Sequence, residues 1–428
     1  MPKYVVDLHL HSKYSRATSP KMNPLDLGEY ARKKGIDIVA TGDITHPKYF
    51  KELKSTLHDN GTGIYSAGCS LFILSGEVSN IYQDGKEFKR VHQCVSFKTL
   101  DEVEQFNEQI SKYGSLEADG RPILSISAAE TVEIAKSVSQ SAFVFPAHIW
   151  TPWFSVYGSM SGYDSIKDCY QDMLKHIKCA ETGLSSDPAM NWRIPELDSI
   201  NMISNSDSHS PDKTGREANI IEVEKLTYDS VVRALETGDG FKETIEFYPE
   251  EGKYHYDGHR LCGVSFSPSE SKKLKNICPV CRKQLTIGVM HRVEALAQRE
   301  DGYVKPNAIK FRKIIPLKVL IAQYFGVAET STKVTKLYDL LITKLGSEFF
   351  ILLDADYSAI ETEFDQRLAK IIYGARVGSV KLVPGYDGVY GKVEVVPCSP
   401  SEERISGSII HEIGACKKKS PASLKDFF

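Results

Sequence analysis

The chain has 428 residues, 41% of them hydrophobic and 25% charged, with a net charge of -3. That length supports two or three domains with cores of their own, and no apolar run in it approaches a membrane span. A balance so near neutral excludes a surface that is basic all over, so any contact with nucleic acid has to be local.

The first predicted element is the strand Tyr4-Val5-Val6, which runs into Asp7-Leu8-His9-Leu10-His11-Ser12. Successive side chains of a strand alternate sides, so His9 and His11 share a face and form a ready pair of metal ligands. Pro24–Lys34 has helical spacing, and Gly35 stops it. One layout then repeats down the first half of the chain: an apolar run followed by a ligand-bearing residue. Residues 36–40 lead to Asp43 and His46, 71–74 lead to Glu77, and 90–97 carry His92. An acidic helical stretch, 100–113, follows. Residues 142–145 lead to His148, 178–180 to Glu181, and 200–203 to Asp207 and His209. Strands alternating with helices predict an α/β fold, in which chemistry gathers at the carboxyl ends of the strands. The donors are nitrogen and oxygen without thiolate, which suits Zn²⁺, Mn²⁺ or Fe²⁺, with Mg²⁺ a further candidate. There are too many for one ion, so two or three metals sharing a bridging carboxylate are expected. Such a centre activates a hydroxide and clamps phosphoryl oxygens, which makes phosphoester hydrolysis the expected chemistry.

His9-x-His11, Thr41-Gly42-Asp43, Gly76-Glu77, His92, Pro146-Ala147-His148 and Ser206-Asp207-Ser208-His209 resemble the successive motifs of the polymerase and histidinol phosphatase (PHP) family. The resemblance implies a distorted seven-stranded (β/α) barrel with a trinuclear metal centre. By position it implies that His9, His11, Glu77 and Asp207 hold one metal, that Glu77 bridges to a second held by His92 and His148, and that His209 belongs to a third. It also places Asp207, Glu77, His9 and His11 in the catalytic machinery. Arg16 follows Ser15 where the family has Asp, and Asp43 stands where it has His. Either Asp43 replaces that His as an oxygen ligand, which is the favoured reading, or His46 reaches in. The aromatic insert after His148 supplies Trp150, Trp153 and Tyr157, which with Glu181 are candidates for a pocket on which an extruded base stacks.

Tyr228–Thr237 is a predicted helix ended by Gly238, and 244–248 a strand leaving the barrel. Cys262, Cys278 and Cys281 then have the spacing of a structural zinc ribbon, with His259, His255 or His291 as the fourth ligand and His259 at the usual spacing. Nine cysteines, an odd number otherwise scattered, do not make a secreted disulfide framework, and the charged N-terminus followed by histidines lacks a signal-peptide layout. A cytoplasmic, nucleoid-associated protein is expected. Lys305, Lys310, Arg312, Lys313 and Lys318 occur without one acidic residue between 304 and 318. Beside the ribbon's Lys272, Lys273, Lys275, Arg282 and Lys283 they read as a phosphate-backbone track. Residues 333–345 and 359–373 are predicted helices, the second ended by Gly374, and 380–396 a hairpin with turns at Gly385 and Asp387-Gly388. At the C-terminal end, Leu424, Phe427 and Phe428 resemble the peptide that docks in the sliding clamp PCNA, with Pro421 where that motif has Gln.

The expected domains are therefore a metal-dependent hydrolase barrel (1–246), a zinc ribbon (247–300), a basic, mainly helical DNA-binding domain (301–416) and a clamp-binding tail (417–428). This order of parts resembles a DNA repair nuclease family built on the PHP barrel. The resemblance implies cleavage on the 5′ side of deaminated bases (uracil, hypoxanthine, xanthine) and of abasic sites, and a monomer is expected. The alternatives are a small-molecule phosphoesterase of the histidinol-phosphatase type and a non-catalytic adaptor between DNA and clamp.

Overall fold

The strands of the N-terminal region are β1 (Lys3–Asp7), β2 (Ile38–Ala40), β3 (His58–Asp59), β4 (Tyr65–Ala67), β5 (Ser70–Asp84), β6 (Glu87–Phe97), β7 (Ile123–Leu124), β8 (Phe143–Pro146), β9 (Cys179–Glu181), β10 (Asn201–Ile203), β11 (Ala218–Glu222) and β12 (Phe241–Glu246). They come from a computed structural model that describes residues 1–403, so Leu424, Phe427 and Phe428 lie outside the described residues. The chain divides into two units, Met1–Glu246 with Ala295–Arg312, and Phe247–Glu294 with the chain from Lys313 onward. Ala295–Arg312 thus groups with the N-terminal region although the sequence places a boundary near residue 300.

The first unit is a mixed α/β fold around one sheet, in the order β12–β11–β1–β2–β5–β4–β3, with β6 and β7 also on β5, and β8 on β6. β1, β2 and β5 run parallel, whereas β11 is antiparallel to β1 and β6 to β5. β9 and β10 form a separate parallel pair. Val6, Leu8, Ile38, Ile73, Phe143, Phe145, Cys179, Ile203 and Ile221, drawn from or next to seven of these strands, meet in a single buried core. The β5–β6 hairpin is longer than the apolar runs of the sequence suggest, which puts Glu77 in mid-strand rather than after a strand end, while His92 lies within β6 as expected.

Local chemistry explains the helix limits. Pro24–Lys34 starts where Asn23 Oδ1 accepts from Asp26 N (3.2 Å) and stops at Gly35, whose φ of 86° lies in the left-handed region. Tyr228–Thr237 opens on a Thr227–Ser230 reciprocal cap and ends at Gly238 in the same way.

In the second unit a short hairpin, Asp257–His259 with Val264–Phe266, packs Val264, Phe266, Cys278 and Leu285 into a small core. Helices follow at Leu317–Phe325, Thr332–Leu345, Glu348–Leu353, Tyr357–Glu363 and Gln366–Arg376, and then a hairpin of Val380–Val383 with Lys392–Val395. The expected helix over 359–373 is two helices, because Asp365 caps a new one by accepting from Leu368 N (2.8 Å). Gly374 does not end it: it lies inside the last turn, where a Cβ would come within 2.6 Å of Val396 O.

Candidate metal centre

The site begins where β1 overruns its partners. Beyond Asp7 the chain stays extended and runs beside residues 205–208: Leu8 N donates to Asn205 Oδ1 (2.8 Å), Asp207 N to His9 O (2.9 Å) and His11 N to Ser208 O (3.0 Å). Leu8 and Leu10 turn into the core. His9 and His11 turn to the opposite face, where this register delivers Asp207 beside them. On the β5–β6 hairpin Glu77 lies opposite Cys94 and Ser79 opposite His92, so Glu77 and His92 are diagonal neighbours on one face. His148 follows β8, which pairs with β6.

Glu77 is fully buried and sits at the centre. Its Oε1 lies 2.8 Å from His92 Nδ1 and 3.2 Å from His148 Nε2, and its Oε2 lies 3.2 Å from His11 Nε2 and 3.6 Å from His9 Nε2. Asp207 Oδ1 is 3.2 Å from His11 Nε2 and 3.6 Å from His9 Nε2. Three overlapping groups emerge, His9–His11–Glu77, His11–Asp207–His209 and Glu77–His92–His148, the ligand atoms of each within 4.8 Å of one another. His9 Nε2, His11 Nε2 and Asp207 Oδ1 are buried and, among the described residues, make no hydrogen bond. Leaving such atoms unsatisfied costs about 1–3 kcal/mol each, and a cation bound among them removes that cost. The residues present therefore fit divalent metals.

The other ring nitrogens are held from behind. His9 Nδ1 is 3.0 Å from both oxygens of Glu181, which also accepts from His148 N (2.8 Å) and Asn205 Nδ2 (2.9 Å). His11 Nδ1 is 3.0 Å from Asp43 Oδ1, while Asp43 Oδ2 accepts from Ser12 N, Ser12 Oγ and Ser15 Oγ. Thr151 Oγ1 contacts His148 Nδ1 (3.1 Å), and His209 Nδ1 donates to Asp207 O (3.1 Å). A carboxylate or carbonyl on one imidazole nitrogen fixes the tautomer that presents the other to a metal. Three of the residues leave their strands with left-handed backbones: Asp43 (φ 43°), His148 (φ 31°) and Asp207 (φ 44°).

The charges follow from this crowding. Burial alone would lower His9 and His11, but Cys94, Glu181 and Glu77 around His9, and Asp207 and Asp43 around His11, raise both well above the ordinary imidazole range. Burial pushes His92 down to about 4 against the pull of Glu77. Glu77 resists the raising effect of its burial and stays well below the usual carboxylate range because His92, Arg121 and His9 face it.

Several expectations need correction. Asp43 is not turned to the ligand cluster as an oxygen ligand, because its oxygens are occupied by His11 and two serines. His46 does not reach in either; its Nδ1 caps the helix Pro47–Thr56 at Tyr49 N (3.4 Å). Glu181 is an interior partner of His9 rather than a pocket wall. Trp150 and Tyr157 are buried and stacked on each other at 4.7 Å, so neither offers a face to a base. Trp153, 36% exposed, is the aromatic of the three that can. Arg121, whose Nη1 donates to Glu77 Oε2 (2.9 Å), gives no signal in the sequence beyond being a lone Arg in a loop.

In the second unit His259, Cys262, Cys278 and Cys281 bring one ligand atom each within 4.8 Å of the others. His291 turns instead to Asp257 (2.6 Å). Lys272, Lys273, Lys275, Arg282 and Lys283 around this cluster are exposed. Of the basic stripe, Lys310 is exposed, Arg312 is clamped on Glu243 by two 2.7 Å bonds, and Lys305 donates to Asp198 O (3.2 Å). Lys313 lies over the Tyr248 ring and Lys318 over Tyr338. Among the described residues no helix is long and apolar enough to cross a membrane.

A family model, the MJ0043 C-terminal domain, matches residues 316–379. The MJ0043 protein of Methanocaldococcus jannaschii is 33% identical over 58% of this chain, and the match spans 31% of that protein's own length. YqxK of Bacillus subtilis is 27% identical over 92% of this chain and 100% of its own. Two solved structures match almost end to end. The lesion-specific endonuclease PfuEndoQ of Pyrococcus furiosus has a TM-score of 0.83 at 31% identity, covering 95% of this chain and 98% of its own. An endonuclease Q complex with a 27-mer duplex substrate carrying an abasic lesion at the active site has a TM-score of 0.82 at 31% identity, covering 92% and 97%.

Proposed function

Because the chain belongs to the endonuclease Q family and is a metal-dependent DNA repair endonuclease, we propose that it cuts the phosphodiester on the 5′ side of deaminated bases (uracil, hypoxanthine, xanthine) and of abasic sites, leaving 3′-hydroxyl and 5′-phosphate ends. The observation that carries this reading is the buried cluster around Glu77, with three ligand atoms that have no hydrogen bond among the described residues.

His9, His11, Glu77 and Asp207 would hold one divalent metal, Glu77, His92 and His148 a second, and His209 with His11 and Asp207 a third. Metals bound there supply Lewis acidity, lowering the pKa of a bound water and stabilising charge on phosphoryl oxygens. The chain's own part is positional. Glu181 and Asp43 fix the tautomers of His9 and His11, and Glu77 spans both halves of the cluster. Asp207, with one face open, is suited to orient the attacking water in line with the leaving 3′ oxygen. The first unit is read as a PHP-type barrel, and His259, Cys262, Cys278 and Cys281 as the ligands of one structural zinc. The exposed ribbon cations and Lys310 are read as contacts to DNA phosphates, and Trp153 as a surface on which an extruded base stacks. Leu424, Phe427 and Phe428 are read as a sliding-clamp peptide on a monomeric enzyme.

The test is incubation with Mg²⁺, Mn²⁺ or Zn²⁺ and end-labelled duplexes carrying one uracil, one hypoxanthine, one abasic site or none. A single cut immediately 5′ of the lesion, absent from the undamaged control and from His9→Ala, is expected. Rapid hydrolysis of a phosphomonoester with no DNA cut under any metal would replace this reading with the small-molecule phosphoesterase.

A further inference from the structure

Arg121 stands in the metal centre without being one of its ligands. It lies on the loop between the helix Leu100–Ile110 and β7, and this loop is tied to the site on several sides. Gly120 N donates to Tyr14 O (3.1 Å), Thr45 Oγ1 donates to Gly120 O (3.3 Å), Ser79 N donates to Pro122 O (2.9 Å), and Asp119 Oδ1 accepts from Arg121 N (3.1 Å). A Cβ on Gly120 would come within 2.2 Å of Asp43 Oδ2 and 2.3 Å of Ser15 Oγ, so the backbone is pressed directly against the support of His11. The guanidinium is thereby delivered from a braced position.

Among the described residues, Glu77 is the one side chain that the guanidinium hydrogen-bonds, through Nη1 alone. Arg121 is 29% exposed, and neither its Nε nor its Nη2 is among the buried atoms left without a partner, so the rest of its donor fork is open to solvent. The oxygen it touches, Glu77 Oε2, is also the neighbour of His9 Nε2 and His11 Nε2. An anion drawn to cations in that cluster therefore arrives beside a planar cation with spare donors, and phosphate oxygens match such a fork in geometry and charge. A guanidinium that served only to neutralise Glu77 would gain nothing from keeping part of its surface in the open mouth.

We infer that Arg121 is a substrate ligand that binds a non-bridging oxygen of the phosphate being cut, with Glu77 holding it in place before DNA arrives. The inference rests on the nuclease reading above. It names a residue that touches the substrate rather than the metals.

The experiment compares wild type, Arg121→Gln and Arg121→Lys, each loaded with metal and its metal content measured by plasma mass spectrometry. Binding is followed by fluorescence anisotropy on lesion duplexes already nicked at the proposed site and ending in either 5′-phosphate or 5′-hydroxyl, so that nothing is left to cut. Wild type is expected to prefer the phosphate end. Arg121→Gln is expected to lose at least about tenfold of that preference at unchanged metal content, the size of one charge-assisted contact, and Arg121→Lys to keep part of it. An unchanged preference in Arg121→Gln, no preference in wild type, or a loss that merely tracks lost metal would each overturn the inference. The two readings fail separately. Wild type that nicks lesion DNA while Arg121→Gln discriminates normally keeps the nuclease and removes the phosphate ligand. Wild type that never nicks, yet discriminates through Arg121, does the reverse.

Discussion

Replacing Glu181 by Gln exchanges one carboxylate oxygen for an NH₂ group and separates two roles for this residue. Three donors converge on the carboxylate: His9 Nδ1–H, His148 N–H and Asn205 Nδ2. A carboxylate accepts all three, but an amide must point its NH₂ group at one of them. The residue is completely buried, so no water relieves the mismatch. One orphaned buried donor costs about 1–3 kcal/mol of stability, and a wrongly held imidazole costs roughly 10- to 100-fold in metal affinity. The assay is metal competition against a chelator together with a thermal melt of the metal-free protein. Glu181→Gln is expected to weaken metal binding within that range and to lower the melting temperature. Wild-type metal affinity combined with altered choice among lesions would refute the reasoning, since that is how a pocket-lining residue behaves.

Asp207→Asn removes the charge of a ligand, and it should abolish nicking and lower the metal content of the centre in protein whose circular dichroism matches wild type, with a lowered melt of the metal-free form because the buried His11 loses a partner. Because His9 and His11 hold protons well above the ordinary imidazole range, a cation has to displace them. Metal affinity should therefore rise with pH, and loading near pH 7 should release protons, seen as a titration heat that varies with the ionisation enthalpy of the buffer; a buffer-independent heat would contradict this. Cys278→Ser should remove one metal equivalent and destabilise the second unit, where Cys278 shares a small core with Val264, Phe266 and Leu285, while the Glu77 cluster keeps its metals. Gly120→Ala should cost about 1–3 kcal/mol by overpacking against Asp43 and Ser15, read from a denaturant midpoint.

What the sequence made legible was whatever depends on period and local chemistry. Alternation put His9 and His11 on one face, and helical spacing with the stop at Gly35 marked out the helix Pro24–Lys34, whose Asn23 cap only the structure shows. The set that meets at Glu77 was visible because each member follows or sits within an apolar run. Which atom faces which was not. Asp43 and Glu181 carry the same carboxylate as Glu77, yet they approach His11 and His9 from the Nδ1 side, and only the fold decides that. Exposure was equally hidden: Trp150 and Tyr157 have the composition of a binding wall and the position of a core. Arg121 reaches the centre through a loop held by tertiary contacts, so no spacing pattern announces it.

The left-handed backbones at Asp43, His148 and Asp207 bear on how mutants of this centre are to be read. For residues other than glycine this conformation carries a penalty, on the order of 1–3 kcal/mol each, and Asn tolerates it better than most side chains do. Asp→Asn at 43 or 207 thus alters charge with little change in backbone preference, and its phenotype reports on chemistry. His148→Ala offers no such separation. It deletes a ligand and also puts at φ 31° a side chain that accepts the left-handed region less readily than His or Asn does, so the strand exit and the ligand fail together. A series of alanines across this site would rank residues partly by the torsion angle each was forced to adopt, and conservative replacements are the fairer comparison.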